Sequence, residues 1–159
     1  MLDNTTTFVH NEYSWNKYAN VLYIEHPGGV GYSTCNSLVP GDCDFNDHTD
    51  SLDNLKAILG WFEKYPEYKE HDLYISGESY GGIYVPWMMY QIDQYNSNST
   101  KFNTENSTNI NLKGIMVGNG CTNWTYDTTP ATLNMTYWHA LYNDELYDKM
   151  VEHQCDYSM

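Results

Sequence analysis

Three short apolar runs in this chain have the pattern of buried strands, and the segments between them have the pattern of helices. Residues 20–25, 73–76 and 112–117 are nearly continuous apolar stretches, which is typical of strands in a parallel sheet. The segment after the first run instead repeats its apolar residues with helical spacing, at Leu52, Leu55, Ile58, Leu59 and Phe62. The pattern therefore predicts strands connected through helices.

Polar and proline positions set the predicted helix ends. Asp47 or Thr49 is predicted to cap the first helix, and Tyr65 ends it because a residue before proline avoids the helical region. A second, apolar helix is predicted over residues 80–95, with Pro86 as an early-turn or kink residue. The Asn/Ser/Thr-rich residues 96–109 are interpreted as an exposed, glycosylated loop.

The last part of the chain is predicted to be helical. Residues 129–153 fit two helices broken near residues 142–144. The resulting order β-α-β-α-β is typical of an α/β fold with a doubly wound, mainly parallel sheet.

Composition narrows the function classes. Of the 159 residues, 21 are acidic and 7 are basic, so the formal net charge is −14. A protein that binds nucleic acids or anionic membranes needs clustered Lys and Arg residues, so we expect neither of them as a partner. No run approaches the length of a membrane-spanning helix. The cysteines and histidines lack zinc-site spacing, and we expect neither a metal nor another cofactor.

Two kinds of residue indicate the secretory pathway. Glycosylation sequons begin at Asn4, Asn98, Asn106, Asn123 and Asn134. The four cysteines, Cys35, Cys43, Cys121 and Cys155, are disulfide candidates. Cys35 and Cys43 bracket a Pro-Gly turn, so a local bridge between them is geometrically feasible. Cys121 and Cys155 could pair with each other or with cysteines outside these residues.

A motif with chemical meaning follows the second predicted strand. Residues 77–81, Gly-Glu-Ser-Tyr-Gly, match G-x-S-x-G between a strand and a helix. In that context a strained turn lifts the hydroxyl of Ser79 above the sheet as a nucleophile. The alternative is an ordinary glycine-rich turn with a solvent-facing serine.

Several further blocks give the chain a family resemblance. With residues 75–86, the blocks at 13–23, 25–33 and 118–120, followed by Asp127, resemble the serine carboxypeptidases of the α/β-hydrolase superfamily in order and spacing. The resemblance implies part of an α/β-hydrolase fold. About residues 1–128 would form the sheet core with its nucleophile elbow, and about residues 129–159 would begin a helical insertion.

The resemblance also implies roles for individual residues. Ser79 would attack the last peptide bond of a peptide to form an acyl-enzyme, and the backbone N–H of Tyr80 would stabilise the oxyanion. Glu25 and Glu78 would bind the free C-terminal carboxylate of the substrate. Three close carboxyl groups cannot all be ionised, which implies activity at acid pH.

Other catalytic segments of the family have no match in this sequence. The triad Asp and His of the family lie well after the Gly118–Gly120 block. Its Gly-Gly-Pro-Gly loop normally precedes the block that begins at Tyr13, and nothing like it occurs in residues 1–12. Asp127 and Asp144 fall too early for the triad acid, and His139 and His153 fit packing or surface roles better. We therefore expect a partial chain that is inactive alone, with Met1 an internal methionine or the start of a truncated gene model.

The sequence leaves two alternatives open. The same fold supports acyltransferases, in which an alcohol replaces water, and a non-catalytic secreted glycoprotein would also retain Ser79 by descent. All three readings place the protein in the secretory pathway, outside the cell or in an acidic compartment such as a lysosome or vacuole.

Overall fold

The computed structural model describes residues 8–97, 109–123, 126–127 and 129–155. The chain divides into two compact units, residues 1–43 and residues 44–159. The division predicted near residue 128, between a sheet core and a helical insertion, stays a prediction.

The first unit is built from turns. Its described part has one short 3-10 helix, Trp15–Lys17, and a disulfide between Cys35 and Cys43 with the Cα atoms 5.4 Å apart. The predicted strand at residues 20–25 is wrong: these residues have no regular structure, and Tyr23 is 79% exposed. A strand forms only where its backbone groups pair with a neighbour. Within the described residues the sheet has only the two strands of the second unit.

Helix α1 (Asp47–Lys64) opens the second unit. Its cap is Asn46, so the predicted caps Asp47 and Thr49 are wrong. Asn46 has an extended backbone, and its side chain accepts hydrogen bonds from the N–H groups of His48 and Thr49, each at 3.1 Å. Thr49 completes a capping box by accepting from the Asn46 N–H at 3.0 Å. The predicted end at Tyr65 is confirmed.

Strand β1 (Leu73–Glu78), helix α2 (Gly81–Ser97) and strand β2 (Leu112–Gly118) follow in order. The two strands are parallel, with Glu78 opposite Gly118 at one end of the register. Parallel strands need a crossover connection, and α2 lies within it. The predicted β-α-β arrangement of this part is confirmed.

The core lies where α2 contacts α1 and both strands. Its buried apolar residues are Leu55, Ile58, Phe62, Val85, Met88, Ile92, Tyr95 and Ile110, whereas Leu133 is buried in the helical segment that ends the described chain. Strand β1 alternates between half-buried and exposed positions, so α2 covers one face of the sheet. The other face presents Tyr74 and Met116, which are 55% and 51% exposed.

Two helices end the described chain. Helix α3 (Thr129–Trp138) and helix α4 (Asp144–Glu152) are separated by a turn, which confirms the predicted break. The ring of Tyr137 stacks on that of Tyr147 with centroids 4.1 Å apart, and its hydroxyl donates to Asp144 at 2.9 Å. These contacts fasten the two helices together.

In the part of the chain that the structure describes, no helix combines the length and the apolar character needed to cross a bilayer.

Candidate active site

Ser79 lies in the turn between β1 and α2. Strand β1 ends at Glu78 and α2 begins at Gly81, so the strand–turn–helix context of the motif is present. Ser79 has a φ of 59°, in the left-handed region. That conformation costs a residue other than glycine about 1–2 kcal/mol, so surrounding contacts must hold it. The serine is exposed to solvent.

The backbone of Ser79 is held by the last residue of β2 and by the segment that follows this strand. Its N–H donates to the Gly118 carbonyl oxygen at 3.0 Å, and its own carbonyl oxygen accepts from the Cys121 N–H at 2.8 Å. The Gly82 N–H donates to the same oxygen at 3.0 Å. Residues 118–121 therefore fasten the turn, which gives the Gly-Asn-Gly block a structural role.

Glycines allow the turn to approach its neighbours. A Cβ at Gly77 would lie 2.9 Å from Cγ2 of Val85 and 3.1 Å from the Cα of Gly81. A Cβ at Gly82 would lie 2.8 Å from the carbonyl carbon of Cys121 and closer still to its oxygen. The motif alone did not single out Gly82. One feature of the sequence could have indicated it: Gly82 is the second of two consecutive glycines at the start of an apolar helix, and glycine is otherwise unfavourable in helices.

The side chain of Tyr80 points away from the turn towards α1. Its hydroxyl donates to Oδ1 of Asp47 at 3.1 Å, and its ring centroid lies 4.8 Å from that of Tyr84. Burial raises the pKa of the Tyr80 phenol, and the hydrogen bond to the Asp47 carboxylate raises it further. The phenol therefore stays a donor far above neutral pH. The role of the Tyr80 N–H as an oxyanion donor stays a prediction.

The two predicted carboxylate-binding residues lie in different units. Glu78 is exposed at the end of β1, directly before Ser79. In the first unit, the Glu25 carboxylate accepts a hydrogen bond from the Tyr32 N–H. Gly31 has a φ of 56°, and a Cβ there would overlap the Glu25 carboxylate. Pairing of the two glutamates stays a prediction.

None of the described residues supplies a base to Ser79. Its hydroxyl forms no side-chain hydrogen bond within the described ranges. Nδ1 of His139 lies 2.7 Å from the Met135 carbonyl oxygen, and His153 caps the end of α4. Both positions agree with packing or surface roles.

Asp127 organises the loop after β2. Its carboxylate accepts hydrogen bonds from the Thr122 N–H, from the Thr122 hydroxyl at 2.8 Å and from the Asn123 N–H at 2.6 Å. These bonds, with that from the Asn123 N–H first, lower the pKa of Asp127. The geometry assigns this carboxylate to the loop, which agrees with its exclusion as triad acid.

The remaining predicted residues are spread over the surface. Cys121 is a half-buried free thiol beside the turn and Cys155 an exposed one after α4, so the two do not form the bridge considered above. Asn123 and Asn134 are exposed, and Asn134 accepts from the Tyr147 hydroxyl at 2.9 Å. The sequons at 4, 98 and 106 lie outside the described residues.

Comparison with known proteins identifies close relatives of this sequence. A family model described as serine carboxypeptidase matches residues 1–159. Serine carboxypeptidase 24 of Arabidopsis thaliana is 39% identical over 151 residues, which cover 94% of this chain and 30% of that protein. Serine carboxypeptidase ctsa-4.1 of Caenorhabditis elegans is 36% identical over 156 residues, covering 97% of this chain and 30% of its own length. The chain thus spans about 30% of the length of these relatives.

The fold also matches a solved structure. The crystal structure of a prohormone-processing carboxypeptidase from Saccharomyces cerevisiae aligns with a TM-score of 0.60 at 20% sequence identity. The alignment covers 82% of this chain and 29% of the yeast chain. The match supports the assignment of the fold as part of an α/β hydrolase.

Proposed function

The chain belongs to the serine carboxypeptidase family, and we propose that it carries the nucleophile of an enzyme that removes C-terminal residues from peptides at acid pH. The observation that carries the proposal is the left-handed conformation of Ser79 between β1 and α2. Strain of this kind persists only where the surrounding structure enforces it, and it concentrates at functional sites.

In the proposed reaction, Oγ of Ser79 attacks the carbonyl carbon of the last peptide bond. A base takes the hydroxyl proton and passes it to the leaving amine as the C–N bond breaks, which releases the C-terminal residue. The base then takes a proton from water as the water oxygen attacks the ester carbon, and it returns this proton to Oγ of Ser79 as the Oγ–C bond breaks, which frees the shortened peptide as an acid and restores the hydroxyl. Each proton and bond is thereby accounted for without a cofactor.

Three further groups have roles in this proposal. The backbone N–H of Tyr80 stabilises the oxyanion that forms during each attack. Glu25 and Glu78 bind the terminal carboxylate of the substrate, which requires shared protons and therefore favours acid pH. The exposure of Glu78 immediately before Ser79 supports its part of this assignment.

The base and its acid partner are proposed to come from outside these 159 residues. His139 and His153 are engaged at helix ends, and the chain spans about 30% of the length of its relatives. A serine without a base is a poor nucleophile, so the 159 residues alone are expected to be inactive.

We place the protein in the secretory pathway, ending outside the cell or in an acidic, lysosome- or vacuole-like compartment. The Cys35–Cys43 disulfide and the exposure of Asn123, the first residue of a sequon, support this placement, since disulfides persist in oxidising compartments.

Labelling with a fluorophosphonate tests whether the serine is activated. The protein expressed from its natural gene should be labelled at Ser79, and the Ser79→Ala variant should not be labelled. An unlabelled natural protein would instead identify a non-catalytic glycoprotein. Product analysis with an added alcohol then distinguishes the two chemistries, because a carboxypeptidase yields mainly the free acid and an acyltransferase yields the ester.

A further inference from the structure

The side chain of Tyr80 connects the nucleophile turn to the start of α1. Tyr80 is the residue after Ser79, and its hydroxyl donates to the Asp47 carboxylate, 33 positions earlier in the chain. The contact joins two elements of the same unit. This hydrogen bond therefore resists displacement of Tyr80 at the turn.

Asp47 is itself held in place. It is the first residue of α1, directly after the Asn46 cap, and the capping box with Thr49 fixes the backbone on either side of it. A carboxylate in the first turn is also favoured by the helix dipole. The acceptor for the Tyr80 hydroxyl is thus anchored by its own helix.

Further contacts fix α1 against α2. Nε2 of Gln91 donates to the Ser51 hydroxyl at 3.0 Å, and both residues are buried. One turn nearer to the site, the ring of His48 meets that of Trp87 edge-on with centroids 5.5 Å apart. Asp47 therefore belongs to a helix that cannot move independently of the helix that follows Ser79.

We propose that Asp47 is a positioning residue for this site: by holding the Tyr80 hydroxyl, it fixes the peptide unit between Ser79 and Tyr80. The direction of the Tyr80 N–H, the proposed oxyanion donor, depends on that peptide unit. The inference rests on the proposed function, because the N–H matters to the rate only if Ser79 forms a tetrahedral intermediate.

The expected signature is a loss in kcat with little change in KM. An oxyanion donor acts on the transition state, so its misplacement lowers kcat and leaves substrate binding intact. In the natural full-length protein, Asp47→Ala should lower kcat roughly tenfold or more, since small displacements of catalytic groups have effects of that size. Asp47→Asn keeps an acceptor oxygen at the same place and should restore most of the rate.

A control variant and a double-mutant cycle make the test specific. Asp93→Asn removes a carboxylate from an exposed position on α2 and should leave kcat and KM unchanged. Tyr80→Phe removes the donor, so it should lower kcat as Asp47→Ala does, and the double variant should lose little more than either single one. An unchanged kcat in Asp47→Ala, or fully additive losses in the double variant, would overturn the proposal.

The pKa of Tyr80 can be measured without any catalytic activity, so it tests this proposal separately from the proposed function. In protein with ring-labelled tyrosine, NMR titration should give a lower pKa for Tyr80 in Asp47→Asn than in the wild type, because the Asp47 carboxylate raises it. The Tyr80→Phe spectrum assigns the signal. If Asp47→Asn lowers the Tyr80 pKa but the wild type has no activity, the contact is supported and the proposed function is contradicted. An unchanged Tyr80 pKa would overturn the positioning proposal whatever the activity.

Discussion

The carbonyl oxygen of Ser79 accepts a hydrogen bond from the backbone N–H of Cys121 at 2.8 Å. Together with the bond from the Ser79 N–H to Gly118, it fastens the strained turn to the end of β2 and to the loop that follows. The left-handed conformation is therefore stabilised by backbone groups distant in sequence. Substitutions that disturb this loop should affect Ser79 without touching its side chain.

Gly82→Ala should separate the turn from this loop. The added methyl would overlap the backbone of Cys121, which cannot yield as a flexible side chain can. Overpacking of this kind costs about 1–3 kcal/mol, so the free energy of unfolding should fall by that amount in urea titrations. The rate of fluorophosphonate labelling of Ser79 in the natural protein should fall as well.

Gly60→Ala is the matched control. Gly60 lies in α1 with open space where a Cβ would stand. Alanine is the better helix former, so this variant should gain about 0.5–1 kcal/mol in the free energy of unfolding and keep the labelling rate. Equal stability changes in the two variants would contradict the close approach of Gly82 to Cys121.

Ser79 has a backbone conformation that glycine adopts more easily, so the residue required as nucleophile is not the one that best stabilises the fold. Ser79→Gly removes both the hydroxyl and the cost of a positive φ, whereas Ser79→Ala removes only the hydroxyl. We expect Ser79→Gly to be more stable than Ser79→Ala by roughly 1 kcal/mol, after allowing for the greater freedom of glycine in the unfolded chain. Thermal unfolding of the two variants measures the difference. A less stable glycine variant would show that Ser79 is not strained.

Local sequence patterns were sufficient for the parts of the fold that depend on local interactions. The period of the apolar residues predicted α1, and Pro66 predicted its end, because helix hydrogen bonds join residues close in sequence. The position of Ser79 between a strand and a helix was also predictable, because the motif and the apolar segments on either side of it are adjacent in the sequence. The predicted caps Asp47 and Thr49 lie one and three residues after the actual cap, because Asn46, Asp47 and Thr49 are all good capping residues and only the backbone geometry distinguishes them.

Contacts between distant residues were not predictable from these patterns. The Tyr80–Asp47 hydrogen bond and the approach of Gly82 to Cys121 depend on how the helices and the loop after β2 pack together. The apolar run at residues 20–25 was read as a strand although strand formation depends on a partner. Within the described residues, the sheet pairs β1 with β2 alone.

Asp127 should make stability depend on acid pH. Its pKa is lower in the folded chain than in the unfolded chain, because the N–H groups of Asn123 and Thr122 bind the carboxylate. The resulting stabilisation is present above the unfolded pKa, near pH 4, and is lost as pH falls through the lower folded pKa. Asp127→Asn should therefore be less stable than the wild type at pH 6, with a smaller difference at pH 3. Urea unfolding at both pH values provides the measurement, and a difference that grows in acid would contradict this role.

Release of C-terminal residues is the most direct test of the central claim that Ser79 is the nucleophile of a carboxypeptidase. The natural full-length protein and its Ser79→Ala variant are incubated at acid pH with an N-blocked dipeptide, and the freed amino acid is quantified. The wild type should release the C-terminal residue, and the variant should release none above background. Equal release by the two proteins, or no release by the wild type, would contradict the claim.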